Sequence, residues 1–426
     1  MNYKDRKIFD EIFSFIFSDD IIVIHGARQV GKTTLLKIII HALKNKENIN
    51  SSNLHYFDLE DVSYLALCNS GVDNLLKYIS VPKNTQNRFF IFIDEIQYLD
   101  NPTNFLKIFH DHHPECKLIV SGSSSFDIKK KFKDSLVGRT VDFELFTLDF
   151  DEFLTFKNEN INLSDLNYLS LDIVREKLNN LFSEFLIYGG YPKIVLESSV
   201  KKKETYLKQI INTYIKKDIK DLANIKNISR FNNLLKILSS QTGNLLNVTE
   251  LSNTIGISRQ TVDDYLFILE NTYVIKKINP FFQNIRTELT KMPKLFFEDT
   301  GLLNILRYGT FVDNIDGQLL ENGIFSILRR NINSEFINFW RTKQKTEIDF
   351  VINLNTKIFP IEVKLSYPRK AIKTINYFLK EYNIKKGAVV SLRNNKQILE
   401  TENIKPLFPW ELYSLLNTLK DKKTNL

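Results

Sequence analysis

The chain alternates between short, unbroken apolar runs and longer stretches in which apolar residues recur every three or four positions. Three of the runs are "IIVI" at 21–24, "FFIFI" at 89–93 and "LIV" at 118–120. An unbroken run of this kind predicts a strand buried on both faces of a sheet. The segment after the first run, "TTLLKIII", changes to helical spacing and predicts an apolar helix. The N-terminal "MNYKDRKIFDEIFSFIF" is also apolar at helical spacing, but Asp10 and Glu11 interrupt it and no small-residue cleavage site follows. It reads as a surface or packing helix and not as an export signal.

The pattern changes after about residue 186. "YGGYPKIV" at 188–195 reads as a Gly–Pro hinge, and residues 201–221 as a lysine-rich helix. In "LLNVTELSNTIGISRQTVDDYLFILENTYVIKKINPF", Leu251, Ile255, Ile257 and Val262 have the spacing of a three-helix core. Gly256 falls in the turn and Ser258 caps the next helix, so the segment reads as a winged helix-turn-helix. In a DNA reader, Arg259, Gln260 and Thr261 would meet base edges or phosphates, whereas Asp263 and Asp264 would repel phosphate. From Gly317 onward the order is helix, three strands, helix, strand.

The last of these segments poses a problem. "TEIDFVINLNTKIFPIEVKLS", Thr346 to Ser366, reads as two strands joined by a turn, yet it carries Glu347, Asp349, Glu362 and Lys364. Period-two alternation puts the two acids of the first strand on one face, and Glu362 and Lys364 on one face of the second. Either the charges pair on a solvated sheet face or they gather around a bound group.

With 426 residues, 43% apolar and 25% charged, the chain has the composition of a soluble globular protein of two or three domains. No run approaches the ~20 apolar residues of a membrane span. Cys68 and Cys116 lack metal or CxxC spacing, which fits a reducing cytoplasm. Residues 1–200 hold 22 Lys and Arg against 28 Asp and Glu, and residues 201–426 hold 36 against 22. The second half therefore carries a balance of +14, which suggests a polyanion partner such as DNA. A Lys-rich and Asn-rich proteome would give the same asymmetry.

The candidate chemistry begins at Gly26-x-x-x-x-Gly31-Lys32-Thr33, placed between the first strand and its helix. This is a phosphate loop in its required context. Gly26, Ala27, Arg28, Gln29, Val30, Gly31, Lys32, Thr33 and Thr34 would cradle ATP through backbone N–H groups and the helix N-terminus. Lys32 would reach the β and γ oxygens, and Thr33 would bind Mg²⁺. At the tip of the second strand, Asp94 can hold the Mg²⁺ shell and Glu95 can polarise an attacking water. Ser121 and Ser123 end the third strand and could sense the γ-phosphate or cap a helix. Arg139 could act as a finger in trans, which would require a homo-oligomer, or be a surface cation. His110, His112 and His113 lie together but have no second ligand group near them in sequence, and they read as an exposed loop.

"HGARQVGKTTLL", "YFDLED", "FIDEIQ", "VSGSSS" and "LVGRTVDFELFTLDFDEFL" together resemble an AAA-type P-loop ATPase family of bacteria and archaea. Its members carry a C-terminal domain of unknown function, and the resemblance continues through "YGGYPKIV" and "PKLFFEDTGLL". It implies ATP binding and hydrolysis. The last segment in turn resembles the PD-(D/E)XK nuclease fold, with helix, meander, helix and strand in that order. That resemblance implies Mg²⁺ ligands at Asp349, Glu362 and Glu321, with Lys364 activating water. The proline that often precedes the aspartate is absent here, where Ile348 stands.

The expected architecture is α/β in three parts. It comprises an AAA-type P-loop domain over 1–185, a helical and winged-helix segment over 186–310, and a restriction-endonuclease-like α/β domain over 311–426. The expected function is ATP binding and hydrolysis, acting on DNA. The alternative is an ATP-controlled module whose last domain recognises protein or nucleic acid without cutting it.

Overall fold

The structure is a computed structural model that describes residues 3–82, 88–122, 136–215, 228–281, 291–354, 357–366, 369–393 and 403–420. Contacts divide the chain into two compact units. One comprises Met1–Phe146 with Asn271–Tyr273, and the other Thr147–Glu270 with Val274–Leu426.

In the first unit the unbroken runs become strands β1 (Ile21–His25), β3 (Phe89–Asp94) and β4 (Cys116–Gly122), joined by β2 (Leu54–Asp58) and β5 (Thr140–Glu144). All pair in parallel, in the order β2-β3-β4-β1-β5. Every residue of β1, β3 and β4 is buried, as expected for strands covered on both faces. Helix α1 (Lys32–Asn45) follows β1, and α2 (Pro102–His112) precedes β4. Because β4 lies between β1 and β3, the C-terminal ends of all three meet at one edge of the sheet. Ligands of open parallel sheets bind at such an edge.

The second unit begins earlier than the sequence predicts. Residues 147–185, expected with the first domain, pack inside it. Phe150 of α3 (Phe150–Phe156) lies 5.0 and 5.7 Å, centroid to centroid, from Phe182 and Phe185 of α4 (Asp172–Tyr188); Phe153 lies 5.6 Å from Phe185, and Phe182 reaches Trp410 at 6.2 Å. The interlocking rings belong to the second unit.

"YGGYPKIV" is also not a hinge. A Cβ on Gly189 would stand 2.2 Å from Asp299 Oδ1, and one on Gly190 2.2 Å from the Leu148 carbonyl oxygen. The Gly190 N–H donates to Asp299 Oδ2 at 2.8 Å, while Asp299 Oδ1 caps α8 by accepting from Leu302 N at 2.9 Å. (Here α5 is Ile228–Ser240, α6 Val248–Ile255, α7 Arg259–Asn271 and α8 Thr300–Tyr308.) Two distant motifs therefore meet backbone to backbone, and glycine is needed for the close approach.

Helices α5, α6 and α7 are followed by an antiparallel pair, β6 (Ile275–Ile278) and β7 (Lys294–Phe297). Gly256 sits in the α6–α7 turn at φ 72°, and Ser258 Oγ accepts from Thr261 N at 3.1 Å. The lysine-rich helix spans Val200–Gln209, and residues 216–221 of its expected range lie outside the described residues.

The last sheet has the order β12-β11-β10-β9-β8. Strands β8 (Ile337–Arg341), β9 (Glu347–Leu354) and β10 (Lys357–Ser366) form an antiparallel meander. Strands β11 (Gly387–Arg393) and β12 (Ile404–Leu407) then add in parallel. Helix α9 (Gly317–Asn331) precedes the meander, and α10 (Arg369–Glu381) crosses from β10 to β11. Strand β12 went unpredicted, because "IKPL" is short and contains a proline, as edge strands tolerate. No helix among the described residues is long and apolar enough to cross a membrane.

Candidate functional site

The phosphate loop joins β1 to α1 along a path few side chains permit. A Cβ on Gly26 would stand 2.1 Å from the Leu145 carbonyl oxygen. Gln29 and Gly31 take φ 62° and 102°, in the left-handed region. Lys32 is buried, and its ammonium folds back on the loop, donating to the Gly26 and Ala27 carbonyls at 3.1 and 3.0 Å. Thr34 is exposed on the first turn of α1.

Asp94, buried at the end of β3, gathers three hydroxyls. Thr33 Oγ1 donates to Oδ2 at 2.5 Å, Tyr56 Oη donates to the same oxygen at 3.0 Å, and Ser121 Oγ donates to Oδ1. Burial, followed by the neighbouring Asp94 charge, pushes the Tyr56 hydroxyl well above its ordinary range, so it stays a donor. The next residue, Glu95, has φ 57° and ψ 48°, a conformation rare outside glycine and concentrated at working sites. Its carboxylate accepts from Gln97 Nε2.

These groups suit a magnesium nucleotide. Thr33 and Asp94 are hard oxygen donors already within hydrogen-bond distance, a buried ammonium closes the loop, and the backbone leaves no room for a Cβ where the loop passes Leu145. Ser123 lies outside the described residues. Arg28 hydrogen-bonds Tyr98, whose hydroxyl is pushed up first by burial. The guanidinium of Arg139 is held bidentately by Asp111, with Nε–Oδ1 2.8 Å and Nη2–Oδ2 3.1 Å. That pair, with His110, pulls the Asp111 carboxyl down to about 2. His110 and His113 pair instead with Asp111 and Glu115, each at 3.1 Å.

Two residues of this unit carry no motif. Arg6, 8% exposed, donates to the Val30 carbonyl from Nη1 and to the Phe146 carbonyl from Nη2, both at 2.8 Å, and so braces the phosphate loop. His25, directly before Gly26, holds its Nδ1 2.5 Å from Tyr273 Oη.

The charged strand pair of the second unit is paired internally. Lys364 Nζ lies 2.7 Å from Glu362 Oε1 and 3.1 Å from Asp349 Oδ2. Asp349 Oδ2 also accepts from Val363 N at 2.7 Å. Lys294, 1% exposed on β7, lies 3.1 Å from Glu321 Oε1 and 2.5 Å from Glu347 Oε1, and Arg341 takes the other Glu347 oxygen at 2.6 Å. Three cations thus face four acids.

One negative charge is left over, and burial makes two of the acids harder to ionise. Burial, then Asp349, pushes Glu362 up to about 8, and Glu362 Oε2 is buried without a hydrogen-bond partner. Burial likewise pushes Glu321 up to about 7, against the pull of Lys294. Lys294 and Lys364 are themselves held above the ordinary lysine value, because the surrounding acids outweigh their burial.

The expected metal ligands Glu321, Asp349 and Glu362 are therefore near one another but divided between two lysines. Among the described residues, no three His, Cys, Asp or Glu side chains form a group that could hold a metal ion. Lys294 sits in "MPKLFF", where nothing local marks it as a partner of β9.

Residues 18–154 match a family described as an AAA domain. Residues 179–312 and 316–413 match two families described as domains of unknown function, DUF8612 and DUF4143. An uncharacterized protein of Methanocaldococcus jannaschii, MJ1544, is 28% identical, covering 96% of this chain and 92% of its own. One from Haemophilus influenzae is 27% identical, covering 88% and 90%. Among solved structures, a RuvB variant of Thermotoga maritima aligns at TM-score 0.31 and 17% identity, covering 64% of this chain and 87% of its own. DnaA of Aquifex aeolicus bound to AMPPCP aligns at 0.29 and 16%, covering 62% and 86%. The portion of the chain that holds the phosphate loop and Asp94 is thus similar to an AAA domain, which supports ATP binding.

Proposed function

We propose that the chain binds and hydrolyses ATP with Mg²⁺, and that nucleotide turnover controls a second unit that recognises its partner without cutting it. The observation that carries the ATPase reading is the 2.5 Å contact between Thr33 Oγ1 and Asp94 Oδ2. It brings together a loop hydroxyl and a strand-end carboxylate that lie 61 positions apart in sequence. In this reading Gly26 to Thr34 bind the phosphates, Lys32 offsets their charge, and Thr33 with Asp94 holds the metal. Mg²⁺, when bound, would supply neutralisation of the phosphate charge. Glu95 orients the attacking water and accepts its proton. Ser121, already on Asp94, faces the same edge. A role for Arg139 in trans requires it to exchange Asp111 for a neighbour's phosphate.

A non-cutting second unit is favoured by Lys364 and Lys294, which occupy the acids that a nuclease would give to its metal. The order α9-β8-β9-β10-α10-β11 supports the nuclease-like fold reading, and α5-α6-α7-β6-β7 supports the winged-helix one. Arg259 and Gln260 are exposed, as a DNA reader needs, but so are Asp263 and Asp264, and Gln260 is tied to Asp264 at 2.9 Å. DNA contact therefore rests on the basic balance of the second half rather than on α7.

The test is nucleotide binding and phosphate release by the wild type and by Lys32→Ala. The wild type should bind ATP with or without Mg²⁺ and release phosphate only with it, and the variant should lose binding. A wild type that binds no nucleotide would sink the reading.

A further inference from the structure

The order of β2, β3 and β4 places a hydroxyl on each side of Asp94. In the parallel register, Val120 lies beside Ile93, so Ser121 comes next to Asp94. On the other side Asp58 lies beside Asp94 and Tyr56 beside Phe92. Residues two apart on a strand share a face, so Tyr56 lies on the same face as Asp58 and Asp94. Its long side chain spans the two-residue offset and delivers Oη to Asp94 Oδ2 at 3.0 Å. Lys37 of α1 lies over the ring at 5.9 Å.

Thr33 and Tyr56 share Oδ2. Of the two, only Thr33 belongs to the phosphate loop, and its oxygen would take a metal through a lone pair while its O–H stays on Asp94. Tyr56 reaches Oδ2 from β2, outside the loop, so its hold on the carboxylate does not depend on the loop.

We infer that Tyr56 is a positioning residue for magnesium, holding the Asp94 carboxylate in its metal-ready orientation from outside the phosphate loop. The inference rests on the ATP reading. Partners in this outer position are typically worth about 10–100-fold in metal affinity. The hydroxyl is suited to the task because burial and the adjacent acid keep it protonated, so it donates at any working pH.

The experiment is Tyr56→Phe, which retains the ring and removes only the donor. ATP affinity is measured in EDTA, and the Mg²⁺ concentration giving half-maximal thermal stabilisation is then measured at saturating ATP. The expected result is unchanged ATP affinity in EDTA with the Mg²⁺ midpoint raised about tenfold. A purely structural tyrosine would weaken both kinds of binding or neither. An unchanged midpoint in a variant that binds ATP normally overturns this inference alone. Equal losses with and without Mg²⁺ also overturn it, since the tyrosine then supports the fold or the loop. A wild type that binds no ATP overturns the nucleotide reading, and this inference falls with it.

Discussion

Lys364 lies 2.7 Å from Glu362, and the same ammonium also serves Asp349 at 3.1 Å. One cation between two acids leaves a carboxyl that burial can keep protonated. The pair is therefore not a plain ion pair, and its charge state depends on pH.

Glu362 should make stability fall with rising pH. Its carboxyl stands at about 8 in the folded chain against 4.5 ordinarily. A raised acid contributes stability that is fully present below about pH 4.5 and is lost as pH rises through 8. Glu362→Gln keeps the neutral shape and removes the titration. The melting difference between variant and wild type should shift toward the variant between pH 5 and pH 8.5, by roughly 1–3 kcal/mol. A difference that stays flat across that range would mean the carboxyl is ionised throughout.

Asp349→Ala should lower the melting temperature in metal-free buffer. It removes the acceptor of the Val363 N–H and one of the two acids paired with Lys364. A stranded buried donor costs about 1–3 kcal/mol. Asp349→Asn, which retains an acceptor, should recover much of that loss. Stabilisation by the alanine variant would instead indicate a repulsive acid cluster awaiting a metal.

Glu95→Gln should bind ATP nearly as the wild type does, while turnover falls at least about 100-fold, as for loss of a general base. Phosphate release at the wild-type rate would remove Glu95 from the mechanism. The amide can still meet Gln97, so the backbone strain at this position should persist.

Arg6→Ala should both destabilise the first unit and weaken ATP binding, because one guanidinium spans the Val30 and Phe146 carbonyls. The cost of two lost charged hydrogen bonds is on the order of 2–4 kcal/mol. Arg6→Lys should not rescue it, since a single ammonium lacks the planar fork. Full rescue by lysine would show that charge alone matters.

Two glycines separate a packed junction from a turn. A Cβ at Gly190 would meet the Leu148 carbonyl oxygen, while one at Gly256 would meet nothing within 4 Å. Gly190→Ala should prevent folding or cost more than about 3 kcal/mol, whereas Gly256→Ala should cost only the ~1 kcal/mol of a left-handed backbone. Similar small losses at both sites, read by chemical denaturation, would restore the hinge.

What the sequence determined by itself was local. The strand, loop and helix around Gly26 to Thr34 follow from a short apolar run, two glycines and a helical repeat, all within one turn of the chain. Asp94 and Glu95 could be read because they terminate an unbroken strand. The alternation in β9 and β10 likewise placed Glu347, Asp349, Glu362 and Lys364 on strands, since a period of two is a property of the backbone alone.

Tertiary structure decided how those charges are used. Lys294 comes from a strand 53 positions before Glu347, and it is buried among acids that no local pattern connects to it. Arg6 reaches Val30 across 24 positions, and Tyr56 reaches Asp94 across 38. Which hydroxyl meets which carboxylate depended on strand order, because β4 enters between β1 and β3 and β2 lies outside. Spacing along a chain gives a side chain's face, but its partner depends on which strand becomes its neighbour. Buried charges are satisfied across that spatial order, where the low dielectric makes each pairing strong and each unpaired group costly.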